Sequence, residues 1–257
     1  MIVNIQCLTK ACDLLAIPYR FLDKNRNFVA VGNTPVYFSN CSTPWNSEEV
    51  AHICKDKEFA YDLLSDVVTM PKTRGYFDPF RRDYKEYIQF DSIDVIAKDI
   101  VNSFALPCVI KRNAGSRAKN VFVCSTETEI EAALRTVFDQ QSKEYDFVAL
   151  AQAYIQPARE LRVVTLNKKV VFVYDWSNEY TIIGKDSELF KKIEQFVAPI
   201  FTNLDLNWSG LDIIVDEHGK LHLIELNSKP CFEKFVENKG DKEIVEIYKK
   251  MLASLSL

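Results

Sequence analysis

The chain has 257 residues, of which 47% are hydrophobic and 26% are charged, and its formal net charge is −4. This length suits one large domain or two modest domains, with ample apolar content for a core. The slight excess of acids gives no overall attraction to nucleic acid or to an anionic membrane. No apolar run reaches 18 residues, and the N-terminus lacks the basic-then-apolar pattern of a signal peptide. We therefore expect a soluble, cytoplasmic protein whose partners include no nucleic acid and no membrane.

The cysteines number seven, which is odd, and no two of them have the CxxC spacing. An odd count without metal-type spacing is typical of free thiols in a reducing compartment. We expect free, mostly buried thiols, and neither a disulfide framework nor a zinc site.

The first 64 residues predict a helix, three short strands and two further helices. Apolar residues recur at helical intervals before Pro18 and predict a helix within residues 1–17. The strands are predicted at 19–22, 28–31 and 36–38. A second helix opens with Ser47 as its cap, and a third covers 57–64.

Residues 74–90 interleave aromatic rings with Arg81, Arg82 and Lys85. One interpretation is a surface on which single-stranded nucleic acid stacks. The other is an amphipathic segment that packs its rings on a core. The overall acidity favours the second, and we interpret the stretch as packing.

Residues 106–257 predict strands and helices in an α+β arrangement. Thr126 and Glu129 have the spacing of a capping box, so a helix begins there. The other predicted elements are strands at 107–111, 120–124, 147–155, 161–166 and 170–174, a helix at 186–201, a strand pair at 210–215 and 221–227, and a final helix from Asp241.

The stretch between the strands at 107–111 and 120–124 is rich in positive charge. Four cations occur in nine residues with no acid among them: Lys111, Arg112, Arg117 and Lys119. Gly115 and Ser116 lie mid-loop, where a flexible backbone can turn its N–H groups toward an anion. Such a loop suits a polyphosphate, although exposed hairpin loops also collect lysine and arginine.

The strand pair at 210–215 and 221–227 carries two acids and an amide. If its turn contains two or four residues, Asp212 lies directly opposite Glu225, with their Cβ atoms about 5 Å apart. Carboxylates this close repel each other unless a proton or a cation neutralises them. Asn227 shares the face of Glu225 and adds a third oxygen. Two interpretations remain open here: a half-shell for Mg²⁺, and a surface hairpin whose acids face water.

Five groups of residues, in the right order, resemble the motifs of the ATP-grasp superfamily. The nearest branches are the ribosomal-protein glutamate ligases, the glutathione synthetases and the D-alanine–D-alanine ligases, and the resemblance covers residues 48–250. The groups are Asp56-Lys57 with Leu63-Leu64 and Pro71-Lys72-Thr73; Pro107-x-Val109-x-Lys111 with Gly115-Ser116; Ala151-Gln152-Ala153-Tyr154-Ile155; Glu160-Leu161-Arg162; and Gly210-x-Asp212 with Ile224-Glu225-x-Asn227.

The resemblance implies a role for each group. The implied ligands of ATP are Lys57, Lys111, Gly115 and Ser116 for the phosphates, Gln152, Ala153, Tyr154 and Ile155 for adenine, and Glu160 for the ribose. The implied catalytic residues are Arg162 and Lys111. The implied ligands of Mg²⁺, or of Mn²⁺, are Asp212, Glu225 and Asn227.

The resemblance also implies an α+β fold of the ATP-grasp type, in which two α+β subdomains clasp ATP. The expected divisions are 1–46 for a reduced N-terminal α/β portion, 47–105 for connecting helices and a strand, 106–156 for the small subdomain with the phosphate loop, and 157–257 for the C-terminal subdomain with the Mg²⁺ site.

The implied activity joins a carboxylate to an amine, or to a hydroxyl, through an acyl phosphate, and converts ATP to ADP and phosphate. Lys57, Lys111 and Mg²⁺ would spread the charge of the transferred phosphoryl group, while Arg162 would steady the acyl phosphate. The substrates would be small-molecule or peptide carboxylates and amines. Two alternatives are a kinase that phosphorylates a hydroxyl and a nucleotide-binding module without catalysis.

The sequence departs from the family pattern in three places. Ala118 and Asn120 stand where the phosphate loop usually has further glycines. No basic residue directly follows the strand at 170–174, where many relatives have a catalytic arginine. The short N-terminal portion predicts an open site for a peptide or protein acceptor, or completion by a second copy in a homodimer. Because no protein nucleophile is needed, His218 and His222 are expected to be exposed residues of the hairpin.

Overall fold

The computed structural model of the chain describes residues 1–115 and 119–255. Its helices are α1 (Val3–Leu14), α2 (Glu48–Lys55), α3 (Lys57–Leu64), α4 (Ile93–Ser103), α5 (Glu127–Val137), α6 (Glu188–Asn203), α7 (Glu233–Lys239) and α8 (Lys242–Ala253), with a 3₁₀ segment at Arg82–Tyr87. Its strands are β1 (Tyr19–Phe21), β2 (Phe28–Val31), β3 (Val36–Ser39), β4 (Thr73–Phe77), β5 (Cys108–Arg112), β6 (Val121–Cys124), β7 (Val148–Ala153), β8 (Pro157–Leu166), β9 (Lys169–Asp175), β10 (Thr181–Ile182), β11 (Trp208–Asp216) and β12 (Leu221–Asn227). The predicted α+β class is confirmed, whereas α4, α7 and β10 are additions to the predicted elements.

The chain divides into two compact units. We call them the N/C unit, which comprises Met1–His52 and Pro157–Leu257, and the middle unit, which comprises Ile53–Gln156. The N/C unit contains a three-stranded sheet, β1-β2-β3, and a five-stranded sheet, β10-β9-β8-β11-β12. The middle unit contains a four-stranded sheet in the order β4-β7-β5-β6. None of the described helices is both long and apolar enough to cross a bilayer.

The first 46 residues, which the sequence sets apart, pack into the core of the N/C unit. The apolar stripe of α1 and the apolar stripe of α8 belong to one buried cluster, and both helices contact each other. That cluster also contains Trp208 at the start of β11 and Phe232 just before α7. The short N-terminal segment therefore buries its apolar surface against the C-terminal half of the chain.

Two asparagines of the N-terminal segment hold the ends of the strands β11 and β12. Asn4 is 2% exposed, and its amide nitrogen donates to the Pro230 carbonyl at 2.9 Å and to the Tyr248 hydroxyl at 3.1 Å, while its oxygen accepts from Phe232 N at 3.3 Å. Asn46 accepts from Trp208 N at 3.1 Å and donates to the Trp208 carbonyl at 2.6 Å. Buried amides that satisfy several backbone groups fix the loops they bridge.

The middle unit packs α4 and α5 on one face of its sheet. The core there comprises Tyr76 of β4, Ile110 of β5, three alanines of β7 and α5, and the apolar faces of both helices. Alternate residues of the strands project to the other face, which therefore carries Val109 and Lys111.

Residues 74–90 pack only in part as predicted. Tyr76 is buried and contacts Phe90 at 5.7 Å between ring centroids, so these two rings do pack on the core. Phe80, Tyr84 and Tyr87 are 53%, 44% and 58% exposed. These three rings lie outside the buried core, although Tyr84 and Tyr87 contact the half-buried ring of Phe77 at 6.2 Å and 6.0 Å between centroids.

The predicted capping box is confirmed at α5. Thr126 Oγ1 accepts from Glu129 N at 3.2 Å, and the Glu129 carboxylate accepts from Ser125 N at 2.6 Å. Ser47 likewise accepts from Val50 N at 3.3 Å and caps α2. Each bond satisfies a backbone N–H that the helix leaves without a partner.

The cysteine prediction is wrong for one pair. Cys41, which follows β3, and Cys231, which follows β12, form a disulfide whose Cα atoms are 6.0 Å apart. The other cysteines are free and buried, as expected: Cys7, Cys12, Cys54, Cys108 and Cys124. An odd count excludes complete pairing but not a single pair, and a separation of 190 residues leaves no local spacing signal.

The disulfide predicts a thiol count. Protein denatured without reductant should react with a thiol reagent at five cysteines, and at all seven after reduction, because only Cys41 and Cys231 are bonded. Peptide mass mapping should recover these two residues in one cross-linked species. Seven reactive thiols before reduction would contradict the assignment.

The bridging role of Asn4 predicts a large stability effect. Asn4→Ala should lower the free energy of unfolding by about 2–4 kcal/mol, because the buried groups of Pro230, Phe232 and Tyr248 lose the partner that Asn4 supplies. Urea unfolding measures the change. Gln6→Ala is the matched control on the exposed side of α1 and should change stability by less than about 0.5 kcal/mol. Equal effects of the two substitutions would contradict the bridging role.

Candidate functional site

The predicted pairing of Asp212 with Glu225 is confirmed, but the turn differs from the one expected. Asp216 N donates to the Lys220 carbonyl at 3.0 Å, so three residues form the turn instead of two or four. Near the turn, Ile213 pairs with Leu223, which is one residue away from the predicted register. A bulge between 212 and 213 then restores the predicted register at Asp212. The bulge places one extra residue in β12 and brings Glu225 opposite Asp212.

A polar row crosses four strands of the five-stranded sheet. Tyr174 of β9 pairs with Arg162 of β8, Arg162 pairs with Asp212 of β11, and Asp212 pairs with Glu225 of β12. Directly paired residues project to the same face of a sheet. Asn227 pairs with Gly210. It lies two residues beyond Glu225 and therefore projects to the same face. The sheet thus brings together the sequence-predicted residues Arg162, Asp212, Glu225 and Asn227.

Asp212 is the centre of this row. Arg162 Nε lies 2.9 Å from Asp212 Oδ1, and Asn227 Nδ2 donates to Asp212 Oδ2 at 3.3 Å. Oδ1 is buried and makes no well-aligned hydrogen bond to any described residue. Burial first, and then the nearby Glu225, raise the pKa of Asp212 to about 6, although Arg162 opposes the shift. Burial and the neighbouring acid therefore disfavour the charged carboxylate, in spite of its contacts with Arg162 and Asn227.

Arg162 remains charged in this setting. Burial disfavours the guanidinium, but the electrostatic influence of Asp212, with smaller contributions from Tyr174 and Glu225, outweighs burial and raises the pKa of Arg162 further. Burial in turn raises the pKa of Tyr174 to about 12. The row therefore contains one fixed positive charge beside two carboxylates.

The residues of the row suit a divalent cation. Residues 1–115 and 119–255 contain no cluster of three or more His, Cys, Asp or Glu side chains that could hold a metal. Two carboxylates and a carboxamide are nevertheless a fitting partial set for Mg²⁺, which prefers oxygen ligands and keeps several waters or phosphate oxygens of a substrate. The buried Oδ1 of Asp212, without a well-aligned partner among the described residues, is the atom that supports this fit.

Gly210 leaves room for the side chain of Arg162. A Cβ atom at this position would lie 2.9 Å from Arg162 Nη1 and 2.9 Å from Pro230 Cβ. Contacts this short require either neighbour to move. The absence of a side chain at 210 therefore lets Arg162 extend across β11 beside Asp212.

Lys57 contacts the start of the loop that follows β5 in the middle unit. Its ammonium donates to the Gly115 carbonyl at 2.6 Å and to the Asn113 carbonyl at 3.1 Å, and it is 8% exposed. The Asn113 side chain accepts from Glu58 N at 3.0 Å. The N-terminus of α3 is thus joined to the loop, whereas Ser116, Arg117 and Ala118 lie outside the described residues.

Two cations of this loop are paired with an acid that the sequence analysis overlooked. Arg112 Nη2 and Lys119 Nζ lie 2.8 Å and 2.7 Å from the Glu144 carboxylate. Glu144 lies 25 residues beyond Lys119, so no local pattern reveals the pairing. Asn120 has a left-handed backbone with φ of 54°, which asparagine tolerates well in place of glycine.

Lys111 and Gln152 lie side by side on the face of the middle sheet away from the helices. Lys111 Nζ donates to Gln152 Oε1 at 2.9 Å. Val121 and Val123 project to the same face from the edge strand β6 and are 45% and 54% exposed. An apolar surface beside an ammonium group suits a heteroaromatic ring that carries phosphates.

The chain from 153 to 160 continues from this sheet into β8. Ala153 ends β7, its N–H donates to the Lys72 carbonyl at 2.8 Å, and Tyr154 and Ile155 follow half-buried. Glu160 lies two residues before Arg162 on the same face of β8, and burial and then Asp175 raise its pKa.

The end of β9, where the resemblance predicts an arginine, contains a buried acid. Asp175 is 1% exposed and accepts from Arg159 Nε at 2.7 Å and from Ser177 Oγ at 2.6 Å. Burial opposes its charge, yet these bonds outweigh burial and lower the pKa of Asp175. Arg159 projects to the face opposite Glu160 and Arg162, because successive side chains of a strand alternate. It does not add charge to the polar row.

The prediction for His222 is wrong. His222 is 6% exposed and lies 2.9 Å from Asp216, whose pKa the histidine and the backbone N–H of Lys220 lower to about 2. The histidine therefore fixes the turn of the β11–β12 hairpin. His218, at the tip of that turn, is exposed as predicted.

The close approach at Gly210 predicts a specific loss of stability. Gly210→Ala should lower the free energy of unfolding by about 1–3 kcal/mol, because the new methyl group displaces Arg162 or Pro230. The cost should shrink in an Arg162→Ala background, which a double-mutant cycle in urea measures. Gly184→Ala, where no atom lies within 4 Å, is the control and should be neutral. Neutral behaviour of Gly210→Ala would contradict the packing described.

The comparisons with known proteins agree with this geometry. Residues 89–255 match the profile of the RimK-like ATP-grasp domain family. A D-alanine–D-alanine ligase of Christiangramia forsetii is 23% identical over 158 residues, which cover 53% of this chain and 46% of the ligase. The chain thus spans about half the length of this relative.

Solved structures show the same fold at low sequence identity. The D-alanine–D-alanine ligase from Coxiella burnetii gives a TM-score of 0.57 at 15% identity and covers 81% of this chain and 61% of its own. The ATP-grasp ligase PsnB, complexed with a minimal precursor, Mg and ADP, gives a TM-score of 0.51 at 16% identity and covers 80% and 62%. Because the family profile matches more than half of the sequence, the chain belongs to the RimK-like ATP-grasp domain family.

Proposed function

We propose that the protein is an ATP-dependent ligase that activates a carboxylate as an acyl phosphate and transfers the acyl group to an amine or a hydroxyl. The observation that carries the proposal is the polar row of the five-stranded sheet. It places a charged arginine between a buried tyrosine and two carboxylates, beside a carboxamide. The arginine can bind phosphate oxygens, and the two carboxylates with the carboxamide can bind the cation that accompanies the phosphates.

Asp212, Glu225 and Asn227 would hold Mg²⁺ or Mn²⁺ in this function. When bound, the ion would offset the charge on the phosphates of ATP and on the phosphoryl group in transfer. Burial and, after it, the repulsion from Glu225 raise the pKa of Asp212, and a bound cation would relieve both effects and gain affinity from them.

The middle unit would supply the ligands of the nucleotide. Lys111 would contact the phosphates, while Lys57 would act at the loop that contains Gly115 and Ser116. The backbone at the end of β7 and just beyond it would bind adenine, through the proposed set Gln152, Ala153, Tyr154 and Ile155. Glu160, near the start of the N/C unit's second segment, would accept hydrogen bonds from the hydroxyls of the ribose.

The chemistry needs positioned charge and no protein nucleophile. A carboxylate oxygen of the substrate attacks the γ-phosphorus, the bond to the β-phosphate oxygen breaks, and ADP leaves. An amine or hydroxyl then attacks the acyl carbon, loses its proton, and expels phosphate. Arg162 would bind oxygens of the phosphoryl group in both steps, because its guanidinium is charged and held by Asp212.

The acceptor is proposed to be an amino acid or a peptide. The related ligases join D-alanine to D-alanine, and PsnB is described in complex with a precursor peptide. The N-terminal 52 residues are packed into the N/C unit and bridge its strand ends. These contacts assign the segment a structural role, so the proposal of an amino acid or peptide acceptor rests on the related ligases alone.

The metal assignment predicts how ATP binds. Calorimetry should show Mg²⁺-dependent binding of ATP to the wild-type protein, and Glu225→Gln should weaken it by about tenfold to a hundredfold, because one charged ligand of the ion becomes neutral. Glu217→Gln, in the turn of the same hairpin and 73% exposed, is the matched control and should leave binding unchanged. Equal binding with and without Mg²⁺ would contradict the metal site.

The reaction class is tested by its products. In a screen of amino acids and peptides, a ligase releases phosphate and ADP in equal amounts only when carboxylate and acceptor are both present. A kinase would form ADP without phosphate, and a nucleotide-binding module without catalysis would form neither. Either of the last two results would overturn the proposed reaction.

A further inference from the structure

A buried chain of hydrogen bonds ends at Lys111. The Thr73 hydroxyl donates to the Pro71 carbonyl at 2.9 Å, Gln152 Nε2 donates to Thr73 Oγ1 at 2.8 Å, and Lys111 Nζ donates to Gln152 Oε1 at 2.9 Å. Thr73, Gln152 and Lys111 are 6%, 5% and 5% exposed. The three side chains stand on the neighbouring strands β4, β7 and β5 of one sheet.

The direction of each bond is determined by Thr73. Its hydroxyl proton is used by the Pro71 carbonyl, so toward Gln152 the Thr73 oxygen can only accept. This fixes the carboxamide with its NH₂ group toward Thr73 and its oxygen toward Lys111. The reversed carboxamide would place NH₂ against an ammonium group and an oxygen against a hydroxyl oxygen that has no proton to give, which leaves buried polar groups unsatisfied.

We propose that Thr73 is a positioning residue for Lys111, which it orients through the carboxamide of Gln152 for contact with the phosphates of ATP. The inference rests on the proposed function, because it assigns Lys111 to the phosphates. It adds a residue of β4 that acts on the lysine through Gln152.

A neutral relay suits this task better than a carboxylate. Gln152 holds the Lys111 ammonium through a carbonyl oxygen and adds no opposite charge of its own. A glutamate at 152 would form a buried ion pair with Lys111 and reduce its attraction for a phosphate. Thr73 is what allows the neutral side chain to keep one orientation, because the amide alone has two nearly isosteric ones.

The test compares Mg²⁺–ATP with adenosine, which lacks the phosphates. Thr73→Val keeps the shape of the side chain but can neither accept from Gln152 nor donate to Pro71. We expect its dissociation constant for Mg²⁺–ATP, measured by calorimetry, to rise about fivefold to tenfold. Its dissociation constant for adenosine, measured by ligand-observed NMR, should change by less than about twofold. Gln152→Glu should show the same selective loss.

Three further variants make the result specific. Thr73→Ser retains a hydroxyl and should restore ATP binding to within about twofold of wild type. Thr165→Val removes another fully buried threonine hydroxyl, which contacts Ser209 Oγ at 2.6 Å, and should leave both ligands unaffected even if the fold loses stability. Lys111→Ala should raise the dissociation constant for Mg²⁺–ATP by about a hundredfold, which tests whether the lysine binds the nucleotide.

Each outcome decides between the inference and the function on which it rests. Equal weakening of ATP and adenosine by Thr73→Val would show a general structural role and overturn the inference. ATP binding that falls in Lys111→Ala but not in Thr73→Val would overturn the inference and leave the proposed function intact. Failure of the wild-type protein to bind Mg²⁺–ATP would overturn the proposed function, and the inference with it.

Discussion

The carboxylates of Asp212 and Glu225 lie opposite each other on paired strands, and their mutual repulsion has to be offset by positive charge. Arg162 offsets it from the neighbouring strand, and Gly210 leaves the space that the arginine side chain occupies. One buried oxygen of Asp212 still has no well-aligned partner among the described residues. The positive charge of Arg162, the glycine at 210 and the proposed cation are all consequences of placing Asp212 opposite Glu225.

Several bonds from the N-terminal segment fix the ends of the strand pair β11–β12. Asn4 bridges the backbone after β12, and Asn46 bridges the backbone at the start of β11. The disulfide between Cys41 and Cys231 also joins the N-terminal segment to the chain after β12. These bonds fix the ends of a strand pair in which two opposed carboxylates repel each other, while its apolar side chains, such as Leu211 and Leu226, are buried.

The sequence predicted the elements with strong local signals and missed the contacts between distant residues. Helical periodicity and a capping box placed α5, and the spacing of acids placed Asp212 opposite Glu225, because both patterns lie within one element or one hairpin. The bulge and the three-residue turn were not predicted, since Leu221, Leu223 and Ile224 are all apolar and do not mark where the extra residue is inserted. The pairing of Glu144 with the loop cations and the disulfide were missed because no local pattern connects residues so far apart.

The central claim is that a divalent cation binds on the polar row of the five-stranded sheet. Fe²⁺ accepts similar oxygen ligands and, with ascorbate and peroxide, produces radicals that cut the backbone next to the ion. With Fe²⁺ and ADP bound, mass spectrometry should find cuts beside Asp212 and beside Glu225, and excess Mg²⁺ should suppress them. Cuts confined to other parts of the chain, or cuts that excess Mg²⁺ does not suppress, would contradict the site.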